Sequence, residues 1–155
     1  MSTLFATLHH AAVLTLLVCA LVSVYQLRLP LTIRGARLLQ NTDLLNGIAA
    51  TLALLVGLVR VFYLEKGSAY YFSNGPFIAK LGLYGLASML SLAPTLEVQR
   101  WRIPLQQGQL PTVSDRKLTA MCTVAYLQLA CLAAMATFAN LAAHGGAWHF
   151  PGDTH

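Results

Sequence analysis

The chain has 155 residues, of which 57% are hydrophobic and only 10% charged, and its mean hydropathy is +0.62. Soluble domains carry about a quarter charged residues, so the composition excludes an ordinary water-soluble fold and indicates a protein embedded in lipid. The net charge of +5 is divided between two loops instead of forming one interleaved patch, which argues against a nucleic-acid surface.

Four apolar runs predict helices at about 3–27, 43–64, 76–98 and 117–143, each near the ~20 residues that cross a ~30 Å hydrocarbon core. The expected architecture is all-α: a four-helix transmembrane bundle forming one integral membrane domain over residues 1–155, with a flexible Gly- and Pro-containing tail at 144–155.

The first run, which contains "FATLHHAAVLTLL", is preceded by no Lys or Arg and is too long for the apolar core of a secretory signal, so a retained helix is expected. Polar residues in lipid-spanning helices turn toward the bundle interior. His9, Ala12, Leu16, Cys19, Ser23 and Gln26 recur at steps of three or four and predict the inward stripe. His10 points about 100° away, alongside Thr3, Leu14, Leu17 and Leu21, on a packing or lipid face. The stretch "RLPLTIRGARLLQNTD", with Arg28, Arg34 and Arg37, is read as a charged linker.

The second helix presents Asp43 at its start, then Asn46, Ala50, Ala53, Gly57 and Arg60; the loop "EKGSAYYFSNGP" follows. In the third, Lys80, Tyr84, Ser88, Ser91 and Thr95 share a face. Pro94 is expected to kink it, with Ser91 or Thr95 satisfying the Leu90 carbonyl that the proline leaves without a donor. A second basic linker carries Arg100, Arg102, Arg116 and Lys117. In the fourth helix Thr119, Thr123, Tyr126, Ala130, Ala133, Thr137, Asn140 and His144 predict the inward stripe. Cys19, Cys122 and Cys131 lie inside apolar helices without CxxC spacing and read as packing residues. Basic residues cluster in the first and third linkers and are missing from the termini, so the positive-inside rule puts those linkers in the cytoplasm and both termini on the outer, periplasmic side.

His9 lies about six residues, or roughly 9 Å, inside its helix. With Arg60 and Lys80 it forms a layer of imidazole and cations in one leaflet. A neutral imidazole suits haem iron, and the propionates of a haem could meet Arg60 and Lys80. A quinone would also suit the layer, with His9 on one carbonyl and Lys80 or Tyr84 on the other. A packing histidine and outward-snorkelling cations are the structural alternatives. For a second axial ligand, His144 ends its helix and Met135 lies off the polar stripe. The tail histidines His144, His149 and His155 read as part of a flexible terminus. No GxSxG, HExxH, Walker or GxGxxG motif is present, and Asp43 and Glu65 are expected at opposite membrane faces, so neither hydrolase nor nucleotide chemistry has support.

The strings "LHHAAV", "GLVRVFYLEKGSAYYFSNGPFIAKLGL" and "PTLEVQRWR" resemble an uncharacterised bacterial family of predicted four-helix membrane proteins, a domain of unknown function. The family pattern maps onto His9, Asp43, Arg60, Glu65, Lys66, Gly67, Tyr71, Asn74, Lys80 and Pro94. More distantly, the chain is similar to the HemJ type of protoporphyrinogen oxidase, which carries haem b, and to CopD-like membrane proteins. It has Ile78 where HemJ-type proteins have a histidine. The resemblance implies a multi-pass protein of the bacterial inner membrane. The leading expectation is a haem b or related tetrapyrrole in the outer half of the bundle, with a redox or haem-handling role. His9 is the metal ligand, and Arg60, Lys80, Tyr84 and Asn74 complete the cofactor site. The alternative is an accessory or assembly subunit of a larger membrane complex; a quinone-site oxidoreductase is third. The expected partners are the lipid bilayer, other membrane subunits and a quinone, with no nucleic acid.

Overall fold

The computed structural model describes residues 2–59, 62–63 and 75–143, with the backbone alone at Ser2, Pro76 and 141–143. The helices are α1 (Ser2–Arg28), α2 (Ile33–Val59), α3 (Gly75–Arg100), the short α4 (Arg102–Gln106) and α5 (Asp115–Ala143). No strand occurs among the described residues. Four segments are long and apolar enough to cross a membrane: Thr3–Arg28, Ile33–Val59, Phe77–Gln106 and Asp115–Asn140. The four-span all-α architecture expected from hydropathy is therefore present. Neighbouring spans run antiparallel, so the described ends of α1 and α5 share one side of the bundle.

Helix α1 packs closely on α2 and on α5, and α5 closely on α3. Of the four neighbouring span pairs, α2–α3, although consecutive in the chain, approaches least closely among the described residues. Ala12, Leu16, Ala49 and Ala53 form the α1–α2 core. At the basic end, α4 folds back so that Trp101 and Leu105 are buried with Ala36, Leu39, Val98 and Met121. Glu97 pairs there with Arg100 and with Lys117 of α5.

Helix α2 starts at Ile33, ten residues before the expected 43. Pro30 disfavours a helical residue before it. Thr32 then caps the new helix, its Oγ1 accepting from Gly35 N at 3.0 Å. The "charged linker" is in fact the amphipathic first turns of the helix: Ala36 and Leu39 are buried, while Arg37 donates to Leu105 O and Gln40 to Val98 O. Asp43 consequently lies inside the span, not at its start. The expected end of this helix at 64 falls outside the described residues. Helix α4 was not expected. It is closed by Gly108 at φ +71°, where the amides of Gly108 and Gln109 return to Leu105 O and Pro104 O.

The inward face of α5 also differs from expectation. Met121, Ala125, Cys131 and Met135 are buried, whereas Thr119, Thr123, Tyr126, Ala130, Ala133, Thr137 and Asn140 are exposed. The threonines satisfy themselves within the helix: Thr119 Oγ1 donates to Asp115 O, Thr123 to Thr119 O and Thr137 to Ala134 O. A hydroxyl bonded to its own helix can face lipid at little cost, so threonine did not mark the interior. In α3 the helix continues through Pro94. Neither expected hydroxyl reaches the Leu90 carbonyl: Ser91 donates to Ser88 O and Thr95 to Asp43.

Candidate functional site

His9 is half-buried between α1 and α2, while His10 is exposed and bonds to Ala6 O within its own helix. The inward assignment of His9 therefore holds. Its Nδ1 stands 3.1 Å from Ala53 O. A carbonyl only accepts, so Nδ1 carries a proton, and in the neutral ring Nε2 is the nitrogen with the lone pair. Gly57, one turn on, makes room for the ring: a Cβ there would stand 3.4 Å from His9 Cε1.

From the other flank of α2, Tyr84 donates its hydroxyl to Ala50 O at 2.8 Å. Consecutive turns of the small-residue face of α2 thus receive His9 and Tyr84 through backbone carbonyls. Lys80 precedes Tyr84 by four residues, about 6 Å along α3, and the same rise on α2 leads from Ala50 to Leu54. The Lys80 backbone is therefore level with the turn that His9 contacts. Arg60, Asn74, Glu65, Lys66, Gly67, Tyr71 and His144 lie outside the described residues.

Two adjoining clefts occupy the interior. One, with about 40 Å³ of space, is lined by Ser23, Asp43, Asn46, Ser91, Pro94 and Gln128 among others. The second, about 60 Å³, shares Asn46, Ser91 and Gln128 with it and continues past Tyr84, Ser88 and Met135. Gln128 and Met135 reach the interior because Met121, Ala125, Gln128, Leu132 and Met135 repeat at steps of four and three. Met135, expected off the polar stripe, lines a cleft. That heptad was the signal available in the sequence, hidden by the parallel run of threonines two residues away. Among the described residues no three His, Cys, Asp or Glu side chains gather as a metal site. Cys19, Cys122 and Cys131 are free thiols, the first and last buried.

A model of a family described as predicted membrane protein, DUF2214, matches residues 1–147. The chain belongs to the DUF2214 family. No curated protein and no solved structure matches it. For this DUF2214 protein the match agrees with the four spans, and it assigns no chemistry to them.

Haem can be tested against the residues themselves. The donor chemistry fits: an imidazole with Nδ1 held by a carbonyl is the arrangement metal-binding histidines adopt. Neither cleft is lined by His9, and both are smaller than the 300–1,000 Å³ typical of cofactor pockets. Occupation beside His9 would require the helices to part.

Proposed function

We propose that this DUF2214 protein holds a b-type haem or related tetrapyrrole through His9, in the half of the bundle that faces outward, and serves a redox or haem-handling role. The observation that carries the reading is the bond between His9 Nδ1 and Ala53 O, which puts a proton on Nδ1 and orients the ring as in metal-binding histidines. The level of Lys80 beside that turn supports it, since an ammonium near the surface can pair with a carboxylate. By the positive-inside rule the end that carries Arg34, Arg37, Arg100, Arg102 and Arg116 is cytoplasmic, in the inner membrane of a bacterium. Haem, when bound, supplies a redox-active iron. The chain would supply the ligand nitrogen of His9 and the cations of Arg60 and Lys80.

The test is the visible spectrum of the protein purified in mild detergent after expression with abundant haem. A Soret band is expected in the wild type and in His10→Ala, and its loss or a strong blue shift in His9→Ala. Arg60→Gln and Lys80→Gln should weaken haem retention without changing the band position. A colourless wild type overturns the reading.

One observation favours the accessory-subunit alternative. The exposed face of α5 carries Thr119, Thr123, Ala130, Ala133 and Thr137, small side chains of the kind that let membrane helices approach closely. Under that reading His9 and Tyr84 tie helices together, and a large residue at Ala130 would release a partner subunit on purification while leaving the bundle folded.

A further inference from the structure

Asp43 is the eleventh residue of α2, six beyond Arg37 and so about 9 Å deeper along the helix. An ionisable residue at that depth needs a partner. The one it has is a neutral hydroxyl: Thr95 Oγ1 donates to Asp43 Oδ1 at 2.7 Å. Both ion pairs among the described residues belong to Glu97, near the basic end, and no described cation reaches Asp43.

The surroundings of Asp43 are rich in oxygen. Its cleft is lined by Ser23, Asn46, Ser91 and Gln128, drawn from all four spans. The side chains of Ser23, Asn46 and Gln128 make no hydrogen bond among the described residues. Ser91 gives its proton to Ser88 O and keeps its lone pairs. Beside them Pro94 lines the same wall, and having no N–H it leaves the Leu90 carbonyl without its helical donor. Lipid tails satisfy none of these groups, so the content of the cleft must.

We propose that this cleft binds one alkali cation of the size of sodium, with Asp43 supplying the charge and Asn46, Gln128, Ser23 and Ser91 supplying neutral oxygens. Oxygen-only ligands select a hard cation, and thiolate and imidazole donors are missing from the lining. A single carboxylate balances a single positive charge. About 40 Å³ admits a small ion with a water and excludes an organic cation. The site lies in the basic half of the bundle, away from His9, and stands whether or not His9 binds haem.

Thermal unfolding of the full chain in detergent tests it, with NaCl, LiCl or KCl replacing choline chloride at constant ionic strength. The expected result is a saturable rise in Tm with sodium or lithium, because a ligand of the folded state alone stabilises it by mass action. Asn46→Ala and Gln128→Ala should each raise the half-saturating sodium concentration several-fold, and Asp43→Asn should abolish the response. A wild-type Tm that is the same in choline and in all three alkali salts overturns the proposal, as it would if the cleft held only water beside a neutral Asp43. A sodium response that survives in Asp43→Asn overturns it too. Should Asp43→Asn fail to fold, sodium-23 NMR decides: the wild type should broaden the sodium line and lithium should restore it, whereas an unbroadened line refutes the site.

Discussion

His9 and Gly57 form a matched pair. The ring lies against Gly57 as it reaches Ala53 O, and the 3.4 Å that a Cβ would leave to His9 Cε1 is ordinary contact, with no room for a longer side chain in that direction. Gly57→Ala should therefore keep the His9 tautomer, read from the imidazole nitrogen-15 shifts, whereas Gly57→Leu should drive the ring off Ala53 O and lose it. Gly108 poses the opposite case. Nothing lies within 4 Å of a Cβ there, but its φ of +71° is left-handed, so Gly108→Ala should cost about 1–2 kcal/mol through the backbone alone. Chemical unfolding in detergent measures it. Tyr84→Phe removes one interhelical hydrogen bond to Ala50 O. In a membrane bundle the same measurement should register a loss of about 0.6 kcal/mol.

At the scale of the helix, α5 has two parallel faces, and only one of them packs. Thr119→Val and Thr123→Val should each change stability by less than about 0.5 kcal/mol, since both hydroxyls bond their own helix and face outward. Ala125→Leu, at a position only 4% exposed, should cost about 1–3 kcal/mol by overpacking. These outcomes also mark where the sequence was readable. The inward stripes of the first three spans could be seen, apart from the exposed Ser88, because His9, Asn46 and Tyr84 recur in register with small residues, a combination that marks close helix approach. A threonine hydroxyl is satisfied within its own helix, and in α5 its period followed the exposed face. The start of α2 was hidden for a related reason: Arg34, Arg37 and Gln40 lowered the local hydropathy, although Arg37 and Gln40 spend their polar ends on carbonyls of the α3–α4 corner. Of the site, His9 and its orientation were legible from the 100° step between neighbours. The depth of Asp43 was not, because it depends on ten helical residues that hydropathy gave to a loop.

For the whole molecule, four antiparallel spans require the two ends of the chain to agree in sidedness and the α4–α5 connection to disagree with them. Reporter fusions at both termini should read outside, and one inserted after Gly108 cytoplasmic. A terminal fusion that reads cytoplasmic would invert the proposed orientation and carry the His9 layer to the other leaflet.

The looseness of the α2–α3 pair affects how anything arrives at the interior. Close packing joins α2 to α1, α1 to α5 and α5 to α3. The remaining seam is closed at the basic end by the cluster of Ala36, Leu39, Val98 and Trp101 and further along by single bonds, such as those from Tyr84 to Ala50 O and Thr95 to Asp43. A solute dissolved in the bilayer would meet Tyr84 and the cleft that it lines sideways, without passing a layer of headgroups. Its rate of capture would then scale with its partition coefficient into lipid, not with its concentration in the aqueous phase on either side.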